Sequence, residues 1–196
     1  MFYSNISFFV LLSVAIFSGN VLSEEDKYAS VRDTLQTCFV CHGENGASTQ
    51  GTFPILAGQE FYYLYVQLKD MKSGLRANPI MSPLVADIEK ADLRLMAEFF
   101  AEQKWSKTDY KMDKSQLSTA RKALDAGQCL ACHLDGFRGS SRVPRLANQH
   151  IEYLNQTMLD FKNNIRKNAP SIASLFSTYT EDEIKAMSIY LAAFKK

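Results

Sequence analysis

Cys38-Phe39-Val40-Cys41-His42 and Cys129-Leu130-Ala131-Cys132-His133 share one pattern, C-x-x-C-H. Two thiols three positions apart on a helical turn reach the two vinyl groups on one porphyrin edge, and the histidine that follows falls under the iron. The pattern therefore predicts two haem c groups, with Cys38, Cys41, Cys129 and Cys132 as thioether anchors and His42 and His133 as proximal ligands. A zinc site would need both cysteine pairs to converge, and this spacing is far longer than such sites use. A thioredoxin-like pair needs a βαβ context that the helical flanks do not supply. Two disulfides, the default for four cysteines in an exported chain, leave the histidine after each pair without a purpose.

The two motifs lie 91 residues apart, and the likeness runs well past them. Pro54-Ile55-Leu56-Ala57-Gly58-Gln59 answers to Pro144-Arg145-Leu146-Ala147-Asn148-Gln149 at an offset of 90, and Arg76-Ala77-Asn78 to Arg166-Lys167-Asn168. Leu93 to Ala101 then matches Ile184 to Ala192 with the offset back at 91. A self-match of this length is a duplication, and two units suit two small domains better than a solenoid. The expected division is a leader over 1–23, a first domain over 24–104, a linker over 105–115 and a second domain over 116–196.

Within each half the apolar residues recur with helical period. Phe61, Leu64, Tyr65, Leu68 and Met71 form one face, repeated by Ile151, Leu154, Met158, Phe161 and Ile165. Gly74 and Asn164 follow, both suited to a left-handed C-cap. Leu93, Met96, Ala97 and Phe100 mark a last helix, matched by Ile184, Met187, Ser188 and Leu191, and Thr180 to Glu183 reads as a capping box. No segment alternates with period two, so the expected class is all-α. A core of about 80 residues is marginal alone, and a covalently held apolar macrocycle would complete it.

The distal face of the iron separates the halves. Asn78-Pro79-Ile80-Met81-Ser82-Pro83 sets Met81 between two prolines that stiffen its loop, which makes it the expected sixth ligand of the first haem. In the second half Ser171 takes that position, within Asn168-Ala169-Pro170-Ser171-Ile172-Ala173. Three outcomes stay open for the second iron: an open or water-occupied site, a substitute such as Lys167, or Met158. His150 aligns with Glu60 and is expected at the surface.

Residues 1–23 carry no charged side chain, and Phe8 to Phe17 is apolar except for Ser13 and too short to span a bilayer. This is the layout of a secretory leader cleaved after Ser23, and it predicts a periplasmic protein. Net charge +1 gives no case for nucleic-acid binding, and 46% apolar with 22% charged residues excludes a disordered chain. The charge is unevenly spread. Residues 24–104 hold 8 basic and 12 acidic side chains, net −4, whereas 105–196 hold 14 and 9, net +5. Each half could then meet a different partner by electrostatic steering.

These motifs resemble those of the class I c-type cytochromes, and within them the dihaem cytochrome c4 family. The likeness rests on Cys38-x-x-Cys41-His42, Pro54-x-Leu56-Ala57-Gly58-Gln59, Gly74-x-Arg76-x-Asn78-Pro79-x-Met81 and their second-half counterparts, and covers nearly all of residues 30–194. The resemblance implies two helical domains facing each other with haems close enough to exchange electrons. It also implies that the carbonyls of Pro54 and Pro144 accept the second ring N–H of His42 and His133. Ser171 and Leu134, the latter where glycine often follows the motif, depart from the family. The implied role is a carrier of single electrons from a quinol-oxidising complex or dehydrogenase to an oxidase or reductase, with association to a membrane complex left open. No catalytic acid, base or nucleophile constellation is evident. The competing expectations are a redox enzyme subunit whose second haem binds a small substrate, and a sensing or structural subunit.

Overall fold

The computed structural model describes Met1 and residues 26–195, so the expected leader falls, apart from Met1, outside the described residues. In the first half α1 (Arg32–His42) ends on the attachment motif, and α2 (Phe61–Lys72), a short α3 (Met81–Val85) and α4 (Lys90–Glu102) follow. The second half repeats the order with α5 (Leu117–Ala126), α6 (Cys129–His133), α7 (Ile151–Lys162), α8 (Pro170–Phe176) and α9 (Glu181–Ala192). Among the described residues the sole β pairing is an isolated bridge between Ser140 and Val143, and the class is all-α.

The helix ends follow from their residues. Gly74 and Asn164, at φ 77° and 53°, reverse the chain after α2 and α7. After α7 the amides of Ile165 and Arg166 both return to the Asp160 carbonyl, closing the terminus as such caps do. Ile165 therefore lies beyond the helix and is 58% exposed, against its expected place on the buried face. Thr180 and Glu183 form the capping box at the start of α9. The unbroken α1 has no equivalent in the second half, where Gly127 and Gln128 (φ 49°) separate α5 from α6. Tyr179 fills that break. Its hydroxyl donates to the Ala123 carbonyl at 2.9 Å and sits where a β-carbon on Gly127 would be.

Apolar burial falls into two clusters. Val31, Leu35, Leu64, Leu93, Met96 and Phe100 centre the first, and Leu124, Leu154, Met158, Ile184, Met187 and Leu191 the second. Between them lies a polar interface built on the repeat itself. Gln59 reads the backbone of Arg145, accepting from its N–H at 2.7 Å and donating to its carbonyl at 3.0 Å. Gln149, ninety residues later, does the same to Ile55, both bonds at 2.9 Å. The Tyr63 amide donates to the Ser141 carbonyl and the Tyr153 amide to the Gly51 carbonyl. Arg76 reaches the Tyr153 hydroxyl and Arg166 the Tyr63 hydroxyl, each at 3.4 Å. Each of these contacts has its mate, so the halves meet as a near-isologous pair about a pseudo-two-fold axis.

His150 belongs to this interface and is 4% exposed, contrary to its expected surface position. Its Nε2–H donates to the Ser48 carbonyl at 2.9 Å, and Nδ1 lies 3.3 Å from the Tyr110 hydroxyl. Docking of the two halves buries a position that a single half would leave open. The 105–115 segment crosses the same region, with the Arg145 guanidinium 4.6 Å from the Trp105 ring centre.

Candidate haem sites

Both attachment histidines are oriented by the chain that follows them. His42 is buried and its Nδ1 lies 2.9 Å from the Pro54 carbonyl; His133 Nδ1 lies 2.8 Å from that of Pro144. A carbonyl only accepts, so Nδ1 carries the proton and Nε2 keeps its lone pair. Nε2 of each has no hydrogen-bond partner among the described residues. Burial lowers the pKa of both rings, opposed by the carbonyl, and so favours the neutral form. No disulfide joins any of the four cysteines. Burial pushes the Cys38 thiol up to about 11 and raises Cys129 in the same sense.

The turn after each motif reverses sharply. Gly43 adopts φ 75°, ψ 166°, and a β-carbon there would meet the Ala47 carbonyl oxygen at 2.8 Å. Leu134 holds the same conformation, φ 61°, ψ 172°, a region essentially reserved for glycine. The next pair shows the same exchange, with Gly46 at φ 81° and Phe137 at φ 51°. At these two positions the second turn carries strain that the first avoids, whereas Asn45 (φ 53°) and Gly136 (φ 72°) reverse the exchange.

Met81 opens α3, half-buried against the first core. Asn78 holds it there, its Oδ1 accepting from the Ile80 and Met81 amides at 3.0 and 2.7 Å. Lys72 Nζ donates to the Ala86 carbonyl beyond α3. Lys162 does the equivalent at the Tyr179 carbonyl, 2.7 Å away. Ser171 is exposed on α8, whose first residue is Pro170. Asn168, the counterpart of Asn78, has left the loop. Its side chain donates to Gln67 Oε1 at 3.0 Å and Asp70 Oδ2 at 2.8 Å across the interface.

Sequence reasoning missed the centre of that interface. Arg76 and Arg166 are buried, both donate to Gln67 Oε1, and neither forms an ion pair among the described residues. Burial opposes ionisation of the Tyr153 hydroxyl, but the two guanidinium groups outweigh it and lower its pKa. Burial and then the Tyr153 charge raise that of Tyr63. The matched Arg76 and Arg166 of the repeat were the available signal, although nothing in the sequence pointed them at each other. Two buried guanidinium groups with no ion pair among the described residues, unbridged cysteine pairs and preset histidines fit a porphyrin that brings its own propionates.

An all-α chain with two such attachment helices defines a dihaem class I c-type cytochrome. No protein-family model matches the chain. Cytochrome c4 of Pseudomonas aeruginosa is 31% identical over 167 residues, 79% of this chain and 82% of that protein. The thiosulfate dehydrogenase electron acceptor of Stutzerimonas stutzeri is 29% identical over 170 residues, covering 79% and 77%. The crystal structure of reduced recombinant cytochrome c4 from Pseudomonas stutzeri superposes with TM-score 0.77 at 26% identity, over 85% of this chain and 97% of that one. The chain belongs to the cytochrome c4 family. It is a dihaem electron-transfer protein with two haem c groups.

Proposed function

We propose that this cytochrome works in the periplasm, taking single electrons from a dehydrogenase or quinol-oxidising complex and passing them to an oxidase or reductase. Residues 24–104 and 116–196 would each enclose one haem, joined by 105–115. Cys38 and Cys41, and Cys129 and Cys132, would form the thioethers. His42 and Met81 would ligate the first iron, and His133 the second. Haem c supplies a reversible one-electron change at iron.

The protein's part is to hold, orient and shield. Pro54 and Pro144 keep each imidazole in the tautomer that ligates, as second-sphere carbonyls do for metal-bound histidine. Arg76 and Arg166 would neutralise haem carboxylates at the seam between the halves. The two apolar clusters would exclude water from the bound haems. The observation that carries this reading is the matched pair of histidine–carbonyl bonds at 2.9 and 2.8 Å, one in each half. Two centres set in the same way, joined through a polar isologous seam, suit a relay.

The donor class is supported by the Stutzerimonas stutzeri relative, named as an acceptor for a thiosulfate dehydrogenase. Opposite net charges on the two halves give each its own docking preference. Stopped-flow mixing with a thiosulfate dehydrogenase and thiosulfate tests this. Both haems should become reduced, at a rate that falls as salt rises. Reduction indifferent to ionic strength would count against charge-steered docking, and no reduction against this donor. Cell fractionation, with haem-stained protein in the periplasmic fraction, tests the location.

A further inference from the structure

We propose that the second haem has an open distal face, at which the reduced protein binds a small uncharged diatomic ligand beside Ser171. The proposal rests on the assignment of two covalent haems and goes beyond their role as carriers.

Met158, His150 and Lys162, which could close the site, are engaged elsewhere. Ser171 occupies the place of Met81 and brings a hydroxyl, a poor ligand for ferrous iron beside the thioether it replaces. Met158 is buried in the second core, where its Sδ lies 3.9 Å from the Ser188 hydroxyl and packs with Ile184 and Met187. Drawing it out would open that core. His150 uses both ring nitrogens at the interface. Lys162 is tied to the Tyr179 carbonyl. Lys167 is exposed and lines a cleft of about 430 Å³ with Phe161, Lys162, Pro170, Ser174 and Ser177. At 100° per residue, Pro170, Ser174 and Ser177 share one face of α8 that Ser171 and Leu175 do not.

The supporting structure has changed with the ligand. In the first half Asn78 accepts the amides of Ile80 and Met81 and so presents Met81. In the second, Asn168 points across the interface to Gln67 and Asp70, and a proline starts the helix instead. A lone Met-to-Ser exchange would leave that cap in place; here cap and ligand have gone together. Further along α8, Leu175 and Phe176 pack on the second core, and Phe176 stacks on Phe161 with ring centres 6.2 Å apart. An apolar wall of this kind offers an anion no partner, which favours an uncharged ligand. The Ser171 hydroxyl would then meet the ligand's outer atom.

The test uses the purified holoprotein with carbon monoxide as probe. A pyridine haemochrome assay first counts covalent haem, and fewer than two per chain would overturn both this proposal and the assignment beneath it. With two haems present, ferric EPR should show one low-spin and one high-spin centre, and carbon monoxide should shift half of the ferrous haem absorbance. Met81→Ala should double the reactive fraction. Ser171→Met should abolish the reaction and turn the high-spin signal low-spin. Two low-spin signals with no response to carbon monoxide would overturn the proposal while leaving the two-haem reading intact. Low-spin signals that become high-spin in Lys167→Ala or Met158→Leu would overturn it by naming the ligand. The wild-type measurements decide the matter even where a variant does not fold.

Discussion

Asn78 and Asn168 occupy equivalent places and do different work, one holding its own loop and the other crossing to the other half. Asn78 satisfies two amides at the start of a five-residue helix, a segment too short to be stable by propensity alone. Asn78→Ala should therefore loosen Met81. Imidazole is expected to displace Met81 at several-fold lower concentration than in the wild type, read from the loss of the thioether-to-ferric charge-transfer band. The cost in stability should be about 1 kcal/mol, as for other lost caps. Leu134 gives a prediction of the opposite sign. Its φ of 61° and ψ of 172° suit glycine, and such conformations cost other residues about 1–3 kcal/mol. Leu134→Gly should raise the thermal midpoint, whereas Gly43→Leu should lower it, because its β-carbon would meet the Ala47 carbonyl.

At the scale of elements, most helices were legible because their residues repeat with the helical period and their ends carry recognisable caps. α9 shows this best: Thr180 and Glu183 bond reciprocally, and Ile184, Met187 and Leu191 are fully buried behind them. Bonds from the Thr180 amide and hydroxyl hold the Glu183 carboxyl below its ordinary pKa. A carboxyl lowered on folding adds stability that is complete above its unfolded pKa and fades as pH falls through the folded one. Glu183→Gln should thus flatten the acid limb of the stability curve below about pH 4.5, the ordinary carboxyl value. Circular dichroism at a series of pH values checks it. Where the period misled, as at Ile165, the helix had already ended. A hydrophobic side chain one turn later keeps its sequence spacing even when the backbone has reversed at Asn164. The break between α5 and α6 was equally hidden, since Tyr179 reaches Gly127 from a distant loop.

For the whole molecule the governing feature is the seam between the halves. Gln59 and Gln149 each satisfy one backbone amide and one carbonyl of the other half. A buried group left unpaired costs roughly 1–3 kcal/mol. Gln149→Ala should lower the cooperativity of unfolding and separate the transitions of the two halves in calorimetry, with Gln59→Ala acting in the same direction. Retention of one sharp transition in the double variant would show that other contacts hold the halves together.

The amino-acid sequence by itself determined the two haem c groups, the duplication, the all-α class and the serine at position 171. Each of these is written in residue type at short spacing or in self-similarity, which needs no third dimension. Only the tertiary structure decided that His150 and the two arginines are buried, that Asn168 faces the other half, and that Leu134 adopts a glycine conformation. Those facts depend on which surfaces meet when the halves dock and on backbone angles closed by distant contacts. One half read alone carries no record of what the other will cover.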